Sequence, residues 1–130
     1  MNTPTEQLIR THWELSNQRR WDAFSTLLHP QLRYDCPQTR EYIDGALGYV
    51  ELFRTWPGEW HATVQKVIAA GNEGMSIIEF SVGEETMTGL SVFEATDGRI
   101  SRVTDYWPAN YEPPPRATPH MRRHDVSIKT

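Results

Sequence analysis

The sequence predicts an α+β fold, with helices first and a curved antiparallel sheet after them. Two observations carry this. Up to about residue 56 the apolar residues recur mostly near helical spacing. From Trp60 onward the rhythm changes to four runs rich in Val, Ile, Thr and aromatic residues, split by short glycine-containing breaks. Helices followed by a meander of strands give the α+β order, not alternating α/β.

Taken in order, Thr5 to Asn17 reads as the first helix, with Leu8, Ile9 and Trp13 near helical spacing. Thr3 or Thr5 can cap its start, and Pro4 suits a first turn. Gln18 to Arg20 is a polar break. Trp21 to Leu28 reads as a second helix, stopped by His29-Pro30 because a residue before proline avoids the helical region. Leu32 to Cys36 alternates and meets Pro37, which predicts a strand ending in a turn. Arg40 to Ile43 is extended, and Asp44-Gly45 signals a turn. Ala46 to Trp56 reads as the third helix, with Leu47, Val50, Leu52, Phe53 and Trp56 as its apolar face and Pro57-Gly58 as its stop. The four later strands are Trp60 to Ala70, Met75 to Val82, Thr86 to Ala95 and Arg99 to Trp107, joined by hairpin signals. Past Pro108 the chain is proline-rich and should run extended. The division expected is a domain over residues 1–112 and a proline-rich, basic tail over 113–130.

Bulk properties narrow the class. The 130 residues fit one domain with a core that needs no metal or disulfide. Five Trp, five Tyr and four Phe can fill a core or line an apolar pocket. The net charge of −4 comes without a basic stripe, which disfavours nucleic acid as a partner. From Arg116 on, four Arg and Lys face Asp125 alone, a local balance of +3 that reads as a solvated tail. The single cysteine, Cys36, excludes an intrachain disulfide. With no membrane-length apolar run and no secretory signal pattern, a cytoplasmic protein with no membrane partner is expected. A curved antiparallel sheet that helices do not fill leaves room for a pocket, here for a small apolar or aromatic molecule.

The segment from Arg99 to Pro108 carries most of the chemistry. Alternation places Val103, Asp105 and Trp107 on one face and Arg102, Thr104 and Tyr106 on the other. If the first face points inward, Asp105 is a carboxylate among aromatics, its pKa raised by burial, and a candidate proton shuttle. The alternative is an Asp facing solvent or paired with Arg102 or Arg33. In Tyr34-Asp35-Cys36-Pro37, Tyr34 and Cys36 share a face, and a phenol there can donate to a developing oxyanion. Cys36 has no adjacent His or Lys to activate it, so a buried inert thiol is the better reading. His12, beside Trp13, and His61, after Trp60, are each able to act as acid or base but are more often structural. Glu79 lies between apolar residues and faces the pocket, solvent or a dimer seam, with the latter pair favoured. The histidines lack metal-site spacing, so no metal is expected. There is no phosphate loop, GxSxG elbow or CxxC, so no cofactor is implied.

The order helix, helix, strand ending in Cys36-Pro37, Asp44-Gly45 before a third helix, then four strands closing on Thr104-Asp105-Tyr106-Trp107, resembles the SnoaL-like branch of the NTF2-like superfamily. That group includes polyketide cyclases, ketosteroid isomerases and limonene epoxide hydrolases, and the resemblance covers about residues 5–112. It implies a cone-shaped α+β barrel, three helices packed on a strongly curved, mostly antiparallel sheet, a pocket at the wide end, and a homodimer through the sheet. By position, Asp105 matches the last-strand aspartate of the epoxide hydrolases and the acid/base aspartate of the cyclases, with Trp107 as a pocket wall. His12 falls where isomerases carry an oxyanion-binding tyrosine. Cys36 falls where they carry their aspartate base, a departure that counts against isomerase chemistry of that kind. Tyr34 resembles the tyrosine that helps hold water in the epoxide hydrolases, but their Asn partner would also fall at Cys36.

The candidate catalytic residues are therefore Asp105 as the proton carrier, with His12 or Tyr34 steadying an oxygen. The candidate pocket lining is Trp13, Cys36, Trp56, His61, Val103 and Trp107. The function expected is a cofactor-independent enzyme of cyclase or isomerase type on an apolar, carbonyl-bearing molecule. The alternatives are a non-catalytic binding protein of the same fold and a limonene-type epoxide hydrolase.

Overall fold

A computed structural model describes residues 3–124. Asp125 and Lys129 of the basic tail lie outside the described residues. The elements run α1 (Pro4–Asn17), α2 (Trp21–Ser25), β1 (Leu28–Cys36), β2 (Glu41–Asp44), α3 (Ala46–Arg54), β3 (Trp60–Ala70), β4 (Glu73–Val82), β5 (Glu85–Thr96) and β6 (Arg99–Tyr106). The strands form one six-stranded sheet in the order β2-β1-β6-β5-β4-β3. All neighbours are antiparallel except β1 and β6, which run parallel, so the sheet is mixed. It is curved but not closed, the α+β architecture expected, without a sealed barrel. Register shifts interrupt β1/β6, β3/β4 and β5/β6. Each inserts slack that bends a strand and strengthens its twist, which is how a sheet acquires a hollow side.

Helix α1 begins where Thr3 Oγ1 accepts the Glu6 N–H at 3.1 Å, with Pro4 in the first turn. It is tied to the sheet at several points along its length. Thr5 donates to the Gly71 carbonyl at 2.6 Å, and the Trp13 indole donates to Ser76 at 3.0 Å. The Asn17 amide pairs with both the N–H and the carbonyl of Ala62. Close docking is possible because Gly74 has no Cβ, which would lie 2.7 Å from Ile9 Cδ1. Ile9, Phe24, Leu32, Tyr49, Phe93 and Val103 are among the side chains fully removed from water between helices and sheet. On the outer sheet face Ile68, Val92 and Tyr106 remain exposed.

Several boundaries differ from the sequence expectation. The second helix stops at Ser25, and the strand begins at Leu28, not Leu32, because Leu28 pairs with Ile100 while the Ile100 N–H bonds to the Leu27 carbonyl at 2.8 Å. Pro30 is tolerated in that strand since it lies in the irregular stretch between Leu28 and Arg33, where ladder bonds are interrupted. The third helix ends at Arg54, short of Trp56, and it follows two strands. Its buried residues are Tyr49 and Phe53, whereas Leu47 is 85% exposed and belongs to the solvent side. The stripe through Ala46, Tyr49, Val50 and Phe53 has the true helical spacing.

The entry into α3 places Gly45 at φ 101°, ψ 148°, backbone that only glycine adopts without strain, while its N–H bonds to the Leu32 carbonyl at 2.7 Å. Gly45→Ala is expected to lower stability by about 1–3 kcal/mol, read by urea denaturation. An unchanged midpoint would show that this turn relaxes freely.

Candidate active site

Asp105 lies on the concave face of β6. Alternation along the strand buries Ile100, Val103 and Asp105 and exposes Arg102 and Tyr106. Asp105 is 6% exposed. Two hydroxyls from neighbouring strands donate to it: Tyr34 on β1 to Oδ2 at 2.9 Å, and Ser91 on β5 to Oδ1 at 2.6 Å. Burial raises the carboxyl to about 6, and the two hydrogen bonds act against that rise by favouring the ionised form. The arginines stay elsewhere. Arg33 and Arg102 both donate to Asp35 on the opposite face of β1, at 3.1 and 3.3 Å, so neither of them neutralises Asp105.

Above the carboxylate lies a small chamber, open on one side, lined by Trp13, Tyr34, Leu52, Phe53, Trp56, Trp60, Phe80, Asp105 and Trp107. Asp105 is the sole ionisable carboxylate of that lining. Phe80 stacks on Trp60 and meets Trp56 and Trp107 edge-on, with ring centroids 5.5–5.9 Å apart. The chamber adjoins a larger outer groove that shares Tyr34, Leu52, Trp56 and Trp107 and adds residues of the β1–β2 turn. Flat apolar walls with one polar cluster suit a flat organic molecule with one reacting polar group. Burial and the charge of Asp105 hold the Tyr34 phenol well above its ordinary range, so it keeps its proton and remains a donor.

His12 sits beneath this chamber and does not line it. It is fully buried on the core face of α1, ringed by Trp13, Phe24, Tyr49, Phe53 and Phe93. Its Nε2 is 2.7 Å from the Tyr49 hydroxyl, and its Nδ1 has no hydrogen-bond partner. Burial pushes the imidazole down to about 3, so it is neutral at ordinary pH. An oxyanion contact from His12 is therefore ruled out by position: the helix face that carries it packs against aromatic rings. It reaches the chamber lining only through Tyr49, whose ring lies 5.5 Å from that of Tyr34.

Of the other expected residues, Tyr34, Asp105, Trp13, Trp56 and Trp107 meet at the chamber. Cys36 is buried and borders the outer groove. His61 is exposed on the convex face, because it alternates with the buried Trp60 and Ala62, so it lines neither the chamber nor the groove. Val103 is fully buried in the core below the chamber. Glu79 is half-buried on the convex face between Thr63 and Thr88. Sequence reasoning missed Ser91, Leu52, Trp60, Phe80 and Gln38. For Trp60 and Phe80 the signal was present: both lie on the apolar phase of alternating strands. The described part of the tail is exposed, with Arg123 donating to both carboxylate oxygens of Glu112.

Comparison with known proteins gives one family and several structural neighbours. Residues 9–103 match the SnoaL-like domain. A crystal structure from Kribbella flavida, of a protein provisionally called a ketosteroid isomerase, is 36% identical with a TM-score of 0.88, over 95% of this chain and 91% of that one. An LEH-like epoxide hydrolase from M. tuberculosis is 19% identical with a TM-score of 0.68, over 81% of this chain and 83% of that one. A Sinorhizobium meliloti protein, provisionally called a polyketide cyclase, is 14% identical with a TM-score of 0.68, over 76% and 93%. The last two show a shared fold. No curated protein matches the chain.

The two buried titratable groups pull stability in opposite directions. Asp105 keeps its proton up to about pH 6 when folded and loses it near 3.8 when unfolded, so stability falls as pH rises across that window. The full effect is about 3 kcal/mol at roughly 1.4 kcal/mol per pKa unit. His12 takes up its proton near 6.5 when unfolded but only near 3 when folded, so stability falls as pH drops below 6.5. Between about pH 4 and 6 the slopes oppose each other. His12→Gln should then grow more stable from pH 6 to 4, and Asp105→Asn less stable. Urea unfolding at three pH values reads both, and parallel trends in the two variants would refute the assignment.

Proposed function

The chain belongs to the SnoaL-like domain family of the NTF2-like superfamily, and from that premise we propose a cofactor-independent enzyme that uses Asp105 as general base on a flat, largely apolar ketone. One observation carries this reading: a lone carboxylate, raised to about 6 by burial, forms part of the wall of an aromatic chamber. A base with such a pKa is substantially ionised at neutral pH and still basic enough to take a carbon-bound proton. The likeness to the Kribbella flavida protein supports proton transfer beside a carbonyl as the reaction class.

The chemistry follows the charge. A carboxylate oxygen of Asp105 removes the proton next to the carbonyl. The C–H bond breaks, an O–H bond forms, and the electron pair moves into an enolate. As Asp105 becomes neutral, Tyr34 has less reason to donate to it and turns its O–H to the enolate oxygen. A donor already held in place costs little reorganisation. Ser91 stays on Oδ1 and keeps the carboxyl oriented. Return of the proton, to the same carbon or another, completes an exchange, an isomerisation or an aldol-type closure. Epoxide opening by water is less well served, since the lining offers no second carboxylate beside Asp105. Binding without conversion is the second reading, favoured by that same single carboxylate.

The test needs no knowledge of the natural substrate. Incubated with 2-tetralone in D2O, the protein is expected to catalyse deuterium uptake at the α-carbon, followed by mass spectrometry. Asp105→Asn should reduce the rate by about 10²–10⁴. Tyr34→Phe should reduce it by about 10²–10³. Exchange no faster than in buffer, with the ketone bound and recovered unchanged, would replace the enzyme reading with the binding one.

A further inference from the structure

Strand β1 pairs in parallel with β6, Tyr34 beside Val103 and Asp35 beside Thr104. Continued in that register, Gln38 falls beside Trp107. Backbone pairing cannot continue there. Pro37 has no N–H to give, and the chain turns, with the Thr39 N–H bonding back to the Cys36 carbonyl. The Gln38 side chain takes over. Its Nε2 donates to the Trp107 carbonyl at 2.7 Å, and its Oε1 accepts the Trp107 N–H. A carboxamide has the donor and acceptor of a peptide group, so the ladder gains one more rung made by a side chain.

The rung fixes the backbone of a residue that lies beyond the end of β6. Its indole is fixed separately. Gly89, on β5, leaves the space it occupies: a Cβ there would lie 2.8 Å from Trp107 Cζ3. Phe80 meets the same ring edge-on at 5.5 Å. Thus located, Trp107 borders both the inner chamber and the outer groove, as Trp56 does. The groove differs in character. It is rimmed by Thr39, Arg40, Glu41 and Tyr42, and Arg40 is held at φ 61°, an uncommon backbone state for a residue other than glycine.

We propose that Gln38 and Gly89 are positioning residues that hold Trp107 as a partition between chamber and groove, and so select an elongated ligand with a flat apolar end inside and a longer chain in the groove. This deepens the functional reading above and concerns the same site. It does not depend on Asp105 being a base, because the partition selects by shape.

The test uses a series of 4-alkylphenols, from ethyl to octyl, titrated calorimetrically into the full chain labelled with 5-fluorotryptophan. The Trp107 fluorine resonance is identified by its loss in Trp107→Phe. In the wild-type protein, affinity is expected to rise with chain length as the alkyl group passes Trp107 into the groove. Gln38→Ala should shift or broaden the Trp107 resonance, leave those of Trp13 and Trp21 in place, and cut the octyl-over-ethyl preference by about tenfold, roughly 1.4 kcal/mol of selectivity. Gly89→Ala, a second route to the same ring, should move the same resonance and weaken the ethyl compound as the indole is pushed aside. An unmoved resonance in both variants, a moved resonance with the length preference intact, or no phenol binding by the wild-type protein would each overturn the proposal. Failure of the base assignment has a different signature, unchanged α-exchange in Asp105→Asn, which this binding series does not read.

Discussion

The buried carboxylate of Asp105 and the two hydroxyls that hold it set the terms for this end of the molecule. A carboxylate with no cation beside it is costly to bury, and here the nearest arginines are committed to Asp35 across the sheet. Tyr34 and Ser91 supply the compensation, one from each neighbouring strand. They are enough to keep the acid in place but not enough to bring its pKa back to that of a solvated carboxyl. The residual mismatch leaves a carboxyl that takes up a proton more readily than a solvated one. An arginine at this point would have given a stable ion pair and an inert site.

The aromatic layer below supports that arrangement by being rigid and uncharged. His12 lies at its centre, and it stays neutral because protonation would place a charge among five rings. Its bond to Tyr49 satisfies the Tyr49 hydroxyl in the interior. Burial thus acts on two groups of opposite charge type in the same direction, toward the neutral form. Folding stability feels the two with opposite signs across mildly acid pH. A site that carries one useful buried acid is easier to tolerate when a second buried group offsets its pH dependence.

Much of this was legible in the residues. The order of the elements and the phase of β6, which sets Val103, Asp105 and Trp107 on one face, follow from periodicity, whereas periodicity left open which face points inward. Nor does it give the partner of Asp105. A plain hairpin register through the Thr96–Arg99 and Ala95–Ile100 pairs would set Leu90 opposite Asp105. The irregularity between Glu94 and Ala95 slips the pairing by one and brings Ser91 there instead. A one-residue slip reverses every side chain, and nothing in the composition of the strand announces it. The parallel contact of β1 with β6 was equally hidden, because the intervening strands all join neighbours in sequence. His12 misled for another reason. Its place on α1 was read by likeness to a tyrosine, but a histidine is shorter, and here it ends inside the core against Tyr49.

The location of the site follows from where regular pairing fails. The β5/β6 bulge aims Ser91, the irregular start of β1 admits Pro30, and the halt at Pro37 obliges a side chain to finish the ladder. Each interruption leaves a sheet edge or hollow that a fully regular sheet would have closed. Regular pairing supplies stability, and the breaks supply geometry. Trp107 shows how the two combine: it lies just past the last residue of β6, yet Gln38 holds its backbone while Gly89 and Phe80 set where its indole lies. A wall held from three sides can be flat, apolar and stationary at once. In the reaction we propose, such a wall brings the acidic C–H of a ketone to a single carboxylate repeatedly at the same angle.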